Sequence, residues 1–263
     1  MISVIIPAYN SEETLAAALT SVAKQHGNFE LEVIVVNDGS SDSTSIVAKE
    51  TAKLHNINLI LIEQINSGVA TARNNGVKNS TGDFIAFLDA DDVWLPDKLE
   101  LQMNFLLESK FDLVGGNFKG LNVNYNRLDT VFTDFKEVKF KNLLMKHYFQ
   151  PSAVIMRKSI FEKVGGFKDG MTHAEEGLLF YKICYMGRCA LYSKDVIDYG
   201  NGKHPFASGK GLSSNLWKME KGELLNYHEV YKCNMINFAK YLFLINFSLA
   251  KYMRRVILSR VFN

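Results

Sequence analysis

Cysteine is scarce in this chain: there are three in 263 residues, Cys184, Cys189 and Cys233. An odd, sparse set with no CxxC and no metal-like spacing excludes a disulfide-stapled scaffold and a zinc ribbon, and it implies buried thiols in a reducing compartment. Long apolar runs are missing too. The greasiest uncharged stretch, Tyr241 to Ala250, has ten residues, whereas crossing a bilayer takes about 20. Charge of one sign is also lacking: the net value of +2 argues against a nucleic-acid binder. The opening MISVIIPAYNSEE has no basic leader, and its apolar run is too short for a signal peptide, so it is expected to be the first strand of a cytoplasmic protein. No internal repeat or low-complexity linker interrupts the chain. The pair Gly209-Lys210 is not a phosphate loop, because Gly211 follows the lysine and no strand precedes it.

What is present is apolar bulk, 47% of residues, enough for one large domain, or a domain and a tail. Up to about residue 110 two textures alternate. Short β-branched runs at 2–9, 31–38, 57–64 and 83–90 suit strands buried on both faces of a parallel sheet. Between them lie helical patterns. Leu15, Ala18, Leu19 and Val22 follow an Asn10-Ser11 start signal, Ser41 to His55 opens with SDST, and Ser67 to Asn79 supplies a third. This alternation predicts βαβ units in an open α/β sheet. Further on, DLVGGNFKG (112–120) reads as a strand, 136–147 as a short helix, and PSAVIMRKSIFEKVGGF as strand, helix and glycine turn. Ala174 to Met186 reads as a helix with Leu179, Ile183 and Met186 on one face, and the chain is mainly helical from Ser213.

Ligands of open α/β sheets bind beyond the carboxyl ends of the strands, and the polar clusters fall there. Pro7-Ala8-Tyr9-Asn10, Asn37-Asp38-Gly39-Ser40 and Asp89-Ala90-Asp91-Asp92 each end a predicted strand. Any one of them is ordinary turn chemistry; three on one rim suggest a site. Three carboxylates within four positions, at Asp89, Asp91 and Asp92, call for a positive partner. Asp89 and Asp91 would face the same side of an extended segment. Carboxylate oxygens with room for water suit a hard divalent cation, Mg2+ or Mn2+, whose shell phosphate oxygens would complete. That points to a nucleotide diphosphate as partner. A solvated acidic turn, or for Asp92 a helix cap before WLPDKL, is the plainer reading of the same residues.

Together, SVIIPAYN, VIVVNDGSSDST, NSGVATARNNGV and FLDADDVW, in order over residues 2 to 94, closely resemble the family-2 glycosyltransferases. The resemblance continues more loosely through KVGGFKDGMTHAEEGLLFYKI. It implies an α/β GT-A fold, a mostly parallel central sheet flanked by helices, and inverting transfer from a nucleotide-diphosphate sugar. By that resemblance Pro7, Ala8, Tyr9, Asn10 and Glu12 lie along the nucleoside and Asp38 accepts a base N–H. Uracil or thymine suits a carboxylate, but guanine also offers an N–H, so a UDP-sugar is favoured without being settled. Asn66, Gly68 and Arg73, in NSGVATAR, resemble the segment beside the diphosphate and ribose, and the resemblance also implies nucleotide contacts for Asp89 and Ala90 in FLDADD. Asp91 would hold the ion, Asp89 would bind ribose or stand behind it, and His204 is a possible third ligand from a late loop. The family commonly has Glu-Asp where this chain has Glu175-Glu176. The base, which takes the acceptor hydroxyl proton, therefore falls on Glu176, with Glu175 the alternative; two acids in a first helical turn also satisfy the macrodipole. The GNGKHPFASGKGLSS segment reads as a lid. Trp94 and Gln150-Pro151-Ser152 line the acceptor side or pack the core.

From Tyr231 to the end there are six basic residues and no acid. Such a tail packs on the body, forms a dimer interface, or lies as a basic amphipathic helix on an anionic membrane face. The last would suit a lipid-linked acceptor and the inner face of the plasma membrane. The expected division is a catalytic domain over 1–212, with a nucleotide-sugar half to about 110 and an acceptor half over 111–212, and a helical extension over 213–263. Two alternatives are transfer onto a polyprenyl phosphate and a non-catalytic nucleotide-sugar-binding protein. A nucleotidyltransferase would show a glycine-rich signature where PAYN stands.

Overall fold

The computed structural model describes residues 1–118, 128–198 and 215–261. The first half alternates β1 (Ile2–Ala8), α1 (Leu15–Ala23), β2 (Leu31–Asn37), α2 (Thr44–His55), β3 (Leu59–Glu63), α3 (Val69–Lys78) and β4 (Phe84–Phe87). All seven residues of β1 are buried, because both faces of the sheet are covered. Its side chains alternate between two cores, as strand geometry requires. Ile2, Val4 and Ile6 join Leu15, Leu19 and Val22 of α1. Ile5 joins Ala70, Ala72 and Val77 of α3 on the other face.

The second half adds β5 (Val93–Trp94), α4 (Lys98–Glu108), β6 (Leu113–Phe118), β7 (Asp129–Phe132), β8 (Phe135–Val138), α5 (Phe140–Leu143), β9 (Ile155–Arg157), α6 (Lys158–Lys163), α7 (Glu175–Met186) and β10 (Cys189–Asp198). One sheet runs through everything, in the order β3-β2-β1-β4-β9-β6-β10-β8-β7, with β5 paired to β10. Strands β3, β2, β1 and β4 are mutually parallel. Strand β9 is antiparallel to both β4 and β6 and joins the two halves.

Several elements differ from the expectation. Residues 136–147 are not a helix: 135–138 pair with β10 and only one helical turn follows. Strand β10 was not foreseen. Helix α1 starts at Leu15, capped by Thr14 without a side-chain hydrogen bond, since Asn10 and Ser11 are engaged elsewhere. On α7, Leu179 and Ile183 are buried as expected, but Met186 is 45% exposed.

Two helices close the chain, α8 (Leu216–Lys232) and α9 (Phe238–Val261). One face of α9 packs on α8 through buried Leu244 and Ser248. Ser248 Oγ and Arg255 Nη2 donate to the two carboxylate oxygens of Glu220 at 2.7 and 2.8 Å, and Lys251 Nζ donates to Glu223 at 2.8 Å. The outward face leaves Leu242, Phe243, Met253 and Ile257 exposed. Among the described residues no helix is long and apolar enough to cross a membrane.

Candidate active site

The loops after β1 and β2 are stapled together at the carboxyl rim. Asn10, in a left-handed conformation with φ 48°, donates its backbone N–H to Ser40 Oγ at 2.9 Å, and its Oδ1 accepts from Ser41 N at 2.9 Å. Ser11 N donates to Thr44 Oγ1 at 2.8 Å. Glu12 Oε2 accepts from Ser43 N at 2.8 Å. Asn10 and Glu12 thus build the rim with their side chains. Pro7 and Ala8 are buried within β1, and Tyr9 stands out at 54% exposure.

Asp38 is 4% exposed and fastens a third segment. Its Oδ1 accepts from Gln64 Nε2 and Ser67 N, both at 2.7 Å, and its Oδ2 accepts from Gly68 N at 2.9 Å. The Asn66–Gly68 segment is thereby drawn against the β2 loop. Gly39, at φ 75°, is needed at this contact, because a Cβ there would stand 2.8 Å from Asn66 N. The loops that meet here follow β1, β2 and β3.

Arg73, on α3, is the centre of the site at 3% exposure. Its Nη2 donates to Asp89 Oδ1 at 2.6 Å and its Nη1 to Glu175 Oε1 at 3.0 Å. Phe167 lies under the guanidinium, 5.2 Å away. Burial alone would weaken the positive charge, but Asp89 and Glu175 more than offset this and hold it more firmly than usual. A planar fork suits this double duty, since one guanidinium can meet two carboxylates. Glu175 is almost fully buried, whereas Glu176 is half-buried. Desolvation, and next the charge of Glu175, push the Glu176 carboxyl up to about 7; Arg73 opposes the shift.

The acidic run FLDADD is not extended. Asp92 N donates to Asp89 O at 3.0 Å, closing a turn, so Asp89 and Asp91 do not share a strand face as expected. Asp89 turns to Arg73, and its N–H is held by Ser152 Oγ at 2.9 Å. Ala90 is buried and Asp91 is exposed on the turn. Asp92 is buried and accepts from Gln150 Nε2 at 3.1 Å. Trp94, 2% exposed, packs in the core and donates Nε1–H to Ser152 O. The Gln150–Ser152 turn thus supports the acidic turn from beneath.

Among the described residues no three His, Cys, Asp or Glu side chains form a metal cage. The donor set is an exposed carboxylate at Asp91, with Asp89 Oδ1 already engaged by Arg73. Hard oxygen donors so few in number fit Mg2+ or Mn2+ only when phosphate oxygens and water complete the shell. His204 and the lid segment at 200–214 lie outside the described residues, as does the boundary at 212. Sequence reasoning named Arg73, for phosphate or carboxylate or as a structural salt bridge, and the turn holding Ser152, but not their partners Asp89 and Glu175, and it missed Phe167. A lone arginine in a polar helix start was the available signal.

The polar rim at the ends of the parallel strands is joined through Arg73 to the first acid of α7. Residues 3–165 match the family model Glycosyl transferase family 2, and the chain belongs to that family: it is a glycosyltransferase. It is 32% identical over 184 residues to the Escherichia coli enzyme UDP-Glc:alpha-D-GlcNAc-diphosphoundecaprenol beta-1,3-glucosyltransferase WfgD, covering 70% of this chain and 69% of that one. The fold is like that of Staphylococcus aureus TarS 1–349 in complex with UDP-GlcNAc, at TM-score 0.73 and 24% identity over 93% of this chain and 70% of that one. It is also like that of the Pyrobaculum calidifontis mannosyltransferase PcManGT in complex with GDP-Man and Mn2+, at TM-score 0.68 and 20% identity over 88% of this chain and 64% of that one. The chain spans 43% of the longer TarS chain.

Proposed function

We propose that the protein moves one sugar, with inversion, from a UDP-sugar to a saccharide or lipid-linked saccharide acceptor in bacterial surface polysaccharide synthesis. The observation that carries this reading is the Arg73 bridge between Asp89, on the donor rim, and Glu175, beside Glu176. It ties the group that would meet the ribose to the helix that would meet the acceptor. A carboxylate has about four lone-pair sites, and Asp38 spends three on Gln64, Ser67 and Gly68. One remains for the N3–H of uracil. Pro7 to Asn10 and Asn66 to Gly68 would flank the nucleoside. Asp91 would hold Mn2+ or Mg2+, which when bound stabilises the departing diphosphate as a Lewis acid.

Glu176 takes the acceptor hydroxyl proton, and a carboxyl near 7 is matched to that task at neutral pH. Glu175 serves instead to hold Arg73. The UDP preference draws support from the glucosyltransferase and the TarS complex, and the metal from the mannosyltransferase complex. A lipid-diphosphate acceptor draws on the name of the E. coli relative alone.

The outward face of α9 carries Leu242, Phe243, Met253 and Ile257 and no acid, which fits a peripheral contact with an anionic membrane at its cytoplasmic side. Serine at these four positions should abolish co-sedimentation with phosphatidylglycerol vesicles; unchanged binding would end this part.

The transfer itself is tested by incubating UDP-glucose or UDP-N-acetylglucosamine, Mn2+ and a GlcNAc-diphospholipid with the protein. Release of UDP with extension of the lipid sugar supports the reading, and pyrophosphate release or binding without turnover contradicts it. Asp91→Asn should remove metal-dependent donor binding.

A further inference from the structure

Helix α8 lies beyond the residues the family model matches and contributes nothing to the rim, yet it touches the backbone that delivers the two acids. Ala174, the N-cap of α7, has φ 57° and ψ 25°. This left-handed conformation is disfavoured for any residue with a Cβ, so something must hold it. Its carbonyl accepts from Gly177 N at 3.2 Å and from Asn226 Nδ2 at 2.7 Å. One turn before Asn226, Gly222 lies against the preceding residue: a Cβ there would stand 2.3 Å from the His173 carbonyl oxygen. Gly177 keeps the approach open, because a Cβ there would come within 2.9 Å of both Asn226 Nδ2 and His147 Cε1. Small residues on both sides thus let the Asn226 amide reach the backbone just before Glu175.

Asn226 is an odd choice if α8 only fills space. Its side chain is fully buried, and its Oδ1 finds no hydrogen-bond partner among the described residues. A buried, unpaired amide oxygen destabilises the fold, and an apolar side chain of the same shape would avoid it. Local rules broken in this way tend to mark functional positions. What the amide supplies is the N–H aimed at Ala174.

We infer that Asn226 is a positioning residue for the acid pair. By holding the Ala174 carbonyl it keeps the start of α7 wound so that Glu175 reaches Arg73 and Glu176 stays beside them. The inference rests on the reading of Glu176 as base.

The test uses the full chain with Asn226→Leu, which keeps the volume and removes the N–H, and Asn226→Ser as a smaller second variant. Turnover is read as UDP release from UDP-glucose with Mn2+, donor affinity by calorimetry, and backbone geometry by crystallography. Expected for Asn226→Leu is a single cooperative unfolding transition at a lowered melting temperature, since Glu175 loses its partner, with donor Kd within twofold and kcat down at least tenfold. In its crystals Ala174 should leave the left-handed region and the Glu175–Arg73 contact should open beyond 4 Å. Adding Ala174→Gly, which adopts the conformation without support, should restore part of the lost kcat. Turnover within twofold with Ala174 unmoved overturns the inference, in either Asn226 variant. So does a kcat loss that tracks donor affinity and is indifferent to Ala174→Gly, since that is a merely structural role. Glu176→Gln is assayed alongside. If it turns over normally, the base assignment fails, while the Ala174 geometry still decides the clamp. If it is inactive and Asn226→Leu is not, only the clamp fails.

Discussion

Arg73 explains why acids from distant parts of the chain can crowd together. Its guanidinium meets Asp89 and Glu175, two groups the chain separates by 86 residues (175 − 89). Arg73→Lys keeps the charge but loses the fork, and a drop of more than tenfold in UDP release is expected. Arg73→Met leaves buried Glu175 unpaired, which should cost about 3 kcal/mol or more in urea unfolding. Glu176 has a different signature. Its folded value near 7 lies above the usual 4.5, so between those values the folded chain keeps a proton that the unfolded chain has released. The associated stability is present below pH 4.5 and is lost as pH rises through 7. Glu176→Gln should therefore melt higher than the unsubstituted protein above pH 7 and show no such gain near pH 4. Because the base must be ionised, kcat should climb with pH with a midpoint near 7; a limb centred near 4.5 would contradict the assignment.

At the scale of elements, α9 is more than an appendage. Glu220 is fully buried and depends on Ser248 and Arg255 for its partners, whereas Glu223 accepts from Lys251 and also from the Tyr227 hydroxyl of its own helix. Truncation after Lys232 strips Glu220 of both partners and leaves Glu223 with the Tyr227 hydroxyl, and a lower melting temperature is expected, with about 3 kcal/mol lost. Serine at Leu242, Phe243, Met253 and Ile257 should leave the melting temperature within a few degrees, since none is buried. The parallel strands were legible because both their faces are covered, which writes continuous apolar runs. Strand β10 was not, because its register shifts between Leu191 and Asp195 place Ser193, Lys194 and Asp195 in mid-strand and break the run. The helix expected over 136–147 gives way to long-range pairing. The edge of β10 takes 135–138 as a strand, and the helix is left with the single turn Phe140–Leu143.

For the molecule as a whole, the rim proposed for the donor is built by the parallel half of the sheet, from segments close together in the chain. Asp38 and the 66–68 segment were named from the sequence and they meet, as do Arg73 and Asp89. What stayed hidden were contacts across the fold: Arg73 to Glu175, Ser152 beneath Asp89, Asn226 behind Ala174. None of these pairs is near in sequence, and a buried Asn in a helix looks like any other polar residue. Joining the halves through β9 brings α7 and its acids up to the rim. The central claim, that Glu176 acts in turnover and not in holding the donor, is tested most directly by one paired measurement on Glu176→Gln: donor Kd by calorimetry with UDP-sugar and Mn2+, and kcat for UDP release. An unchanged Kd with kcat reduced at least a hundredfold is the expected result. Loss of donor affinity, or turnover that persists, would contradict it.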